Sequence, residues 1–589
     1  MTQENGKWIS PVLSQLRLNA SESFDWKGFS AEQFSYPSHL VQVFESSELK
    51  VEQTLFFASP HSALIKVGVT NLSSESYSMA PIWSGNVFLD SIFLDSAQNQ
   101  IRLTSQRSPA TGIIKVHGEN AQPFLTTDTS YALRLTESDL KAGESKTFLL
   151  SQTFLFPRYY EIIEMAVLAS IVENIDSVLG KRINEKEGQF TQLQTRLDSN
   201  WQDPAYQLLL RKTLLTLQNN WRIPAGELSH AGLFPSYHYV WFHGFWAWDS
   251  WKHAVALAQF DPELAKEQVR AMYAFLEKDG FIADCVYRDT SIEAHNFRNT
   301  KPPLSGWAIW KIFEQDQDPE FLQEMYPSVV LQHDWWYKYR DHDGDSLCEY
   351  GSTDGTLIAA KWESGMDNGV RFDASKLVVN GKGAWSLDQE SVDLNSYLYA
   401  EKLYLARMAG ALGKSEDQTR FQQEARILKQ KIATQFFDPA SGWFYDTNLE
   451  GSEFISVMGC EGWIPLWVEA ATPEQARAVK DNILDPNKFN GKVPLQTMSA
   501  DHPQFEPDGG YWRGPVWLDQ SYFGIMGLRN YGFHQDAYEL THKLIHNAEG
   551  VLEPGPAIRE NYHPITGEGL NARHFSWTAA HILMLLTEN

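Results

Sequence analysis

The feature that most constrains this chain is an alternation of connection lengths between helices over its last 390 or so residues. Apolar periodicity predicts about twelve helices, near 203–221, 246–259, 262–278, 304–315, 319–340, 392–412, 416–436, 461–470, 473–484, 516–531, 535–547 and 575–587. After every second helix the link is short and carries helix-start chemistry: Asp261-Pro262-Glu263, Asp318-Pro319-Glu320, Ser415-Glu416, Thr472-Pro473-Glu474 and His534-Gln535-Asp536. After the others come long loops, at 222–245, 279–303, 341–391, 437–460, 485–515 and 548–574. If consecutive helices run antiparallel, all six long loops emerge at one end. That is the layout of a mainly α (α/α)6 barrel with function gathered on the loop face. A solenoid of six helical hairpins shares the alternation but should show a repeat consensus, and none is visible.

Upstream the period changes. Ile65, Val67 and Val69 alternate with Lys66, Gly68 and Thr70, and Leu40 to Val43 and Val51 to Phe57 are similarly strand-like. The expected organisation is therefore an N-terminal β-sandwich domain over 1–156, a helical linker over 157–200 and a barrel over 201–589.

The formal net charge of −25 disfavours nucleic acid and anionic lipid as partners and fits a neutral or weakly charged substrate. Cys285, Cys348 and Cys460 are odd in number and far apart, so neither disulfides nor a thiolate zinc site is indicated. Met1 to Pro11 lacks the basic and apolar regions of a signal peptide, and no apolar run is long enough to span a bilayer. As written, the chain is expected in the cytoplasm, or in the periplasm had an export signal been removed. The 21 Trp and 23 Tyr, many beside Gly, Asp or Glu after residue 200, suit a small carbohydrate, whose C–H faces pack on indole while its hydroxyls seek polar partners. A Trp-rich core is the other reading of the same composition.

Five motifs fall on the expected loop face. Gly244 to Trp251 sets Trp246, Trp248 and Trp251 around Asp249, which could cradle a sugar or simply cap a helix. Asn299 to Pro303 presents Lys301 beside rigid prolines. Lys361 to Asn368 carries Glu363 and Asp367 with Gly365 between them. Gly509 to Trp517 includes Trp512 and Arg513, and Arg559 to Pro564 includes Glu560. Glycosidic cleavage needs one protonated carboxylic acid for the leaving oxygen and one carboxylate for water or the anomeric carbon; Asp367 and Glu560 supply that pair.

The Trp-Asp-Ser, Lys-Pro-Pro, Glu-Ser-Gly-Met-Asp-Asn, Tyr-Trp-Arg-Gly-Pro-Val-Trp and Glu-Asn-Tyr motifs, in this order, resemble glycoside hydrolase family 63 over roughly residues 230 to 589. That family includes processing α-glucosidase I, bacterial α-glucosidases and glycosidases of mannosylglycerate and glucosylglycerate, with the inverting trehalases as distant relatives. The resemblance implies an inverting, α-glucosidase-like hydrolase with Asp367 as general acid and Glu560 as general base. It also implies that Trp248, Asp249, Lys301, Glu363, Trp512 and Arg513 line the sugar subsite. Trp246 and Gly365 are assigned to the same pocket. No catalytic cofactor is expected.

Asp341, Asp343 and Asp345 with the carbonyl of Leu347 form the first half of a calcium loop. Ser346 replaces the turn Gly of an EF-hand, and Ser352 stands where its bidentate Glu would be. Glu349 or Glu390 would have to complete the shell. The resemblance suggests a similarly placed structural calcium in some bacterial relatives. Two other functions fit parts of the pattern: a disaccharide phosphorylase on the same barrel, which needs an anion site where Glu560 stands, and a non-catalytic glycan-binding protein. No HExxH, GxSxG or P-loop is present.

Overall fold

On the strand Ser62–Asn71, Ile65, Val67 and Val69 are buried while Lys66, Gly68 and Thr70 are half-buried, the signature of a sheet with one face in a core. The computed structural model describes residues 9–19, 28–88, 91–156 and 160–588. Most of the Met1–Pro11 stretch and the Pro157 end of the expected linker lie outside the described residues. The strand sits inside an eight-stranded sheet in the order Ser30–Ser35, Leu40–Glu45, Leu49–Phe57, Ser62–Asn71, Ser145–Leu155, Thr111–His117, Gln100–Ser105, Ile92–Ala97. A second sheet orders Val12–Arg17, Ile82–Asn86, Ser130–Leu135 and Ala121–Thr127. Val67, Val69 and Leu150 of the first share one core with Trp83 and Leu133 of the second, which makes a β-sandwich.

Two helices follow, α1 (Glu161–Glu173) and α2 (Ile175–Gln194). Leu168 packs with Phe56, Ala58 and Leu64, and Leu64 points to the sheet face opposite Ile65. Buried Glu164 accepts hydrogen bonds from Ser59 Oγ at 2.5 Å and Ser62 Oγ at 2.6 Å. The chain divides into two compact units, Met1–Gln189 and Phe190–Asn589, and the division falls within α2.

The second unit contains α3 (Pro204–Asn219), α4 (Ala247–Leu257), α5 (Pro262–Tyr273), α6 (Ser305–Asp316), α7 (Pro319–Tyr339), α8 (Leu357–Glu363), α9 (Val392–Ala411), α10 (Ser415–Gln435), α11 (Ile464–Trp467), α12 (Pro473–Leu484), α13 (Leu518–Asn530), α14 (His534–Asn547) and α15 (Ser576–Thr587). Contacts run from α4 to α6, α9, α11, α13 and α15 and back to α4, closing an inner ring. Every residue of α4 is buried, whereas α10 buries only the stripe Phe421, Ala425, Leu428 and Ile432, as an outer-ring helix must. Helices α3, α5, α7, α10 and α14 pack outside. The result is the (α/α)6 barrel that the connection lengths predict, with the long loops between outer and following inner helices.

The start chemistry holds where the cap is acidic or Thr. Asp261 accepts from Leu264 N, Asp318 from Glu320 N and Phe321 N, and Thr472 forms a capping box with Gln475. Ser415 is instead the first helical residue and makes no cap. Two elements differ from the sequence reading. The helix expected over 461–470 is a 3-10 turn, Cys460–Trp463, followed by the single turn α11, which ends as Glu469 enters the left-handed region at φ 57°. The loop 341–391 contains α8, whose seven residues are too few to show periodicity. Among the described residues no helix is long and apolar enough to cross a membrane.

Candidate active site

Each of the five motifs sits at the mouth of the inner ring, and direct contacts join them. The strand Gly244–Trp246 pairs with Cys285–Tyr287, and Ala247 N–H donates to Asp284 O at 2.8 Å, so α4 starts with Trp248 and Asp249 in its first turn. Gly365 has φ 76°, and a Cβ there would lie 2.3 Å from the Trp248 ring, so only glycine lets the Asp367 loop pass over that indole. Trp248 meets Trp577 edge to face at 5.1 Å and Trp512 at 6.2 Å, while Trp512 stacks on Trp517 at 4.1 Å. These rings form an aromatic floor.

Asn368 fastens the third motif to the fourth. Its Nδ2 donates to Gly510 O at 2.9 Å, its Oδ1 accepts from Trp512 N at 3.0 Å, and its carbonyl accepts from Arg513 Nε at 2.9 Å. Between those anchors Tyr511 adopts φ 59°, a left-handed conformation that costs a bulky residue about 1–3 kcal/mol. Trp517 Nε1 holds the Tyr511 carbonyl at 2.9 Å. The strained turn aims the Tyr511 hydroxyl at Glu560 Oε1, 3.1 Å away. Ala572 N–H donates to Glu560 Oε2 at 3.0 Å, and Thr578 Oγ1 holds the Glu560 carbonyl at 3.1 Å.

Four carboxyl groups in this pocket have pKa values pushed up, chiefly by burial; one is Asp284, whose rise the charge of Lys301 opposes. Asp367 rises to about 6, opposed mainly by the charge of Lys301. Glu560 rises to about 7 despite its two hydrogen-bond donors, and the charge of Asp367 adds to the rise. Asp249 rises to about 7, with Lys252 and Lys301 opposing. Lys301 is buried, lies 3.4 Å from Asp284 Oδ1, and donates to Trp362 O.

The sequence-predicted residues divide into two sets. Trp248, Asp249, Gly365, Asp367, Trp512 and Glu560 converge on the pocket through the contacts above, and Trp246 packs beside them against Phe242 and Tyr287. Glu363 does not: it is fully buried, and its oxygens accept from Arg340 Nε and a terminal Arg340 nitrogen at 2.7 and 2.8 Å, Thr300 N at 3.2 Å and Gly351 N at 2.5 Å. The expectation that it lines the sugar subsite is corrected; with its lone pairs taken up, it clamps three loop segments together. Arg513 likewise bridges Asn368 and Asp373, at 2.7 Å from the latter, and so ties loops. Asp284, Tyr511 and the Ala572 amide were not singled out by sequence reasoning. Asp284 lies in no distinctive motif, and Tyr511 was visible only as one aromatic among several.

Residues 243–578 match the family described as the mannosylglycerate hydrolase MGH1-like glycoside hydrolase domain. The chain belongs to glycoside hydrolase family 63. The mannosylglycerate hydrolase of Rubrobacter radiotolerans is 24% identical over 461 residues, which are 65% of this chain and 98% of that protein. That of Thermus thermophilus is 25% identical over 403 residues, 57% of this chain and 92% of that protein. A solved family 63 mannosylglycerate hydrolase, also of Thermus thermophilus and in complex with Tris and D-glycerate, superposes with a TM-score of 0.52 at 22% identity. It covers 64% of this chain and 99% of that chain, and supports the fold. The family 63 chain is thus a glycoside hydrolase. Its acidic loop before α8 brings ligand atoms of Asp341, Asp343 and Asp345 within 4.8 Å of one another. Leu347 N–H donates to Asp345 Oδ1 at 2.7 Å.

Proposed function

We propose that this chain is an inverting glycosidase that cleaves an α-glucosidic or related α-glycosidic bond of an oligosaccharide or glycoside. Asp367 serves as general acid and Glu560 as general base. The observation that carries the reading is the pairing of two pKa-raised carboxyls, buried Glu560 and half-buried Asp367, in one aromatic-floored pocket, with Glu560 held by Tyr511 and Ala572 while Asp367, among the described residues, receives only its own backbone amide. Donors to both oxygens of Glu560 oppose the rise that burial imposes on it. With Asp367 at about 6 and Glu560 at about 7, the two titrate close together, so the roles of acid and base follow from where each stands about the glycosidic bond.

Asp367 gives its proton to the glycosidic oxygen as the anomeric C–O bond breaks. Glu560 takes a proton from a water whose oxygen bonds to the anomeric carbon from the opposite face. The aglycone leaves as an alcohol and the sugar leaves with inverted configuration. Trp512 supplies apolar surface to the ring, with Trp248, packed between the Gly365 loop and Lys252, as its support, and Asp249 and Lys301 offer polar partners to its hydroxyls. Hydrolysis is favoured over phosphorolysis because Asp249, Asp284 and Asp367 gather around Lys301, and Glu560 faces Asp367, so an added phosphate would meet a surplus of carboxyls. Glycosylglycerates join α-glucosides as candidate substrates on the strength of the mannosylglycerate hydrolases that this chain resembles.

The test is a screen of α-linked disaccharides, mannosylglycerate and glucosylglycerate with the unaltered protein, Asp367→Asn and Glu560→Gln. Each nearly isosteric variant should lose about 10²- to 10⁴-fold in turnover while remaining folded. Near-normal activity in either folded variant would remove that residue from the chemistry.

The loop Asp341–Leu347 would hold one structural calcium, with Asp341, Asp343, Asp345, the Leu347 carbonyl and Glu390 as the residues to ligate it. Among the described residues, Asp341 Oδ1 and Glu390 Oε1 are buried without a hydrogen-bond partner, which suits oxygens meant for a cation. Glu349 accepts the His342 amide at 3.1 Å, which favours Glu390 as the completing ligand. The Lys431 ammonium, 3.1 Å from Asp345 Oδ2, competes for one ligand. Chelation should lower the melting temperature and added calcium restore it. Unchanged melting in chelator, with no metal by elemental analysis, would discard the site.

A further inference from the structure

Beneath the aromatic floor lies a lysine that the catalytic scheme does not use. Lys252 is fully buried on α4, and its ammonium donates to Asp519 Oδ2 of α13 at 2.8 Å. It also sits 3.3 Å from the Trp248 ring centroid and 4.1 Å from that of Trp577. On a helix, Lys252 shares a face with Trp248 at i, i+4 and with Asp249 at i, i+3, so one ammonium reaches the pocket's platform and its nearest carboxyl together. A buried ion pair can often be replaced by packed apolar side chains without loss of stability, so support of the inner ring alone is a weak reason for a lysine here.

We propose that Lys252 is a positioning residue of the sugar subsite, fixing Trp248 from below by a cation–π contact and setting a positive charge one helical turn from Asp249, the carboxyl that accepts sugar hydroxyls. This rests on the reading of the pocket as a glycosidase site. The titratable and charged groups facing Asp249 are Lys252 on its own helix, Lys301, Asp519, Asp284, Tyr511 and Cys285. Lys252 itself also faces His253 and His581. Burial is the largest influence on Asp249, followed by Lys252 and Lys301, which favour its charge; Asp519 and Asp284 oppose it. Removing Lys252 therefore makes Asp249 hold its proton to higher pH. Removing Asp519 takes an opposing charge from Asp249 but also takes the partner that helps Lys252, lowered to about 8 by burial, keep its own proton.

The experiment is D-glucose binding to the full chain, followed by tryptophan fluorescence from pH 5 to pH 9. The proteins compared are the unaltered chain, Lys252→Met, Asp519→Asn, and the double variant Lys252→Met/Asp519→Asn, which leaves no orphaned charge if either single variant folds poorly. The midpoint below which binding weakens should rise by about one pH unit or more in Lys252→Met and, to a smaller extent, in the double variant, and should stay lower in Asp519→Asn than in Lys252→Met. Asp249→Asn should abolish the step. A purely structural ion pair would weaken the fold in both single variants without separating their midpoints. Identical midpoints in the folded variants would overturn the proposal. Failure of the unaltered protein to bind glucose or hydrolyse any α-glycoside would instead overturn the reading of the pocket, and this proposal with it.

Discussion

Glu363 and Asp367 stand four residues apart in one loop and have opposite surroundings. Glu363 meets a bidentate arginine and two backbone amides, while Asp367 receives a hydrogen bond only from its own backbone among the described residues. Both are carboxyls in one polar-aromatic motif, where the sequence reading made Asp367 the acid and placed Glu363 in the sugar subsite. The difference teaches that a carboxyl whose lone pairs are filled by protein donors is architecture, and one left short of donors in a closed pocket is available for chemistry.

The contrast is broken most forcefully by removing the clamp's cation. Arg340→Met leaves a buried carboxylate unpaired and should cost about 3–5 kcal/mol, read as a large fall in denaturant midpoint. Asp367→Asn should not destabilise the fold, and above about pH 6 should stabilise it, because the raised Asp367 carboxyl is costly to ionise in the folded state. An Asp367→Asn protein as unstable as Arg340→Met would erase the distinction.

A smaller effect sharpens it through pH. Glu560 is raised from an ordinary 4.5 to about 7, so the folded state binds its proton more tightly than the unfolded chain does. That contribution to stability is fully present below pH 4.5 and is lost as pH rises through about 7. Glu560→Gln cannot ionise, and a tenfold difference in proton affinity between folded and unfolded states is worth about 1.4 kcal/mol. The variant should therefore match the unaltered protein near pH 4 and exceed it by roughly 3 kcal/mol by about pH 8. Asp249→Asn should show the same sign over its own window, from 3.8 to about 7. Equal stability gaps at the acid and alkaline ends would mean that these carboxyls are not strained by burial.

Much of the barrel was legible in the sequence because local signals suffice: apolar periodicity, prolines at first helical positions and acidic or Thr caps at Asp261, Asp318 and Thr472. The short α8 and the collapse of the 461–470 helix to a single turn were not, since α8 has less than two turns of pattern and α11 is cut by Glu469 in a left-handed conformation. Within the pocket, the residue types were readable and their partners were not. Glu363 was misassigned because Arg340 lies 23 residues away and its approach is set by tertiary packing. Tyr511 was overlooked because its importance depends on a backbone conformation imposed by Asn368, 142 to 144 residues away from Gly510 and Trp512. Lys252, in the interior of a helix, carried no motif at all.

The most direct test of the division between an acid at Asp367 and a water-activating base at Glu560 is the configuration of the first sugar released. Asp367 comes from the third long loop and Glu560 from the sixth, so the two approach the pocket from different sides of the ring, which leaves room for a water between base and anomeric carbon. Proton NMR recorded in the first minutes of hydrolysis of an α-glycoside, before mutarotation mixes the anomers, should show the β-anomer first. An initial α-anomer signal, or transglycosylation products, would mean that Glu560 attacks carbon as a nucleophile and would contradict the account.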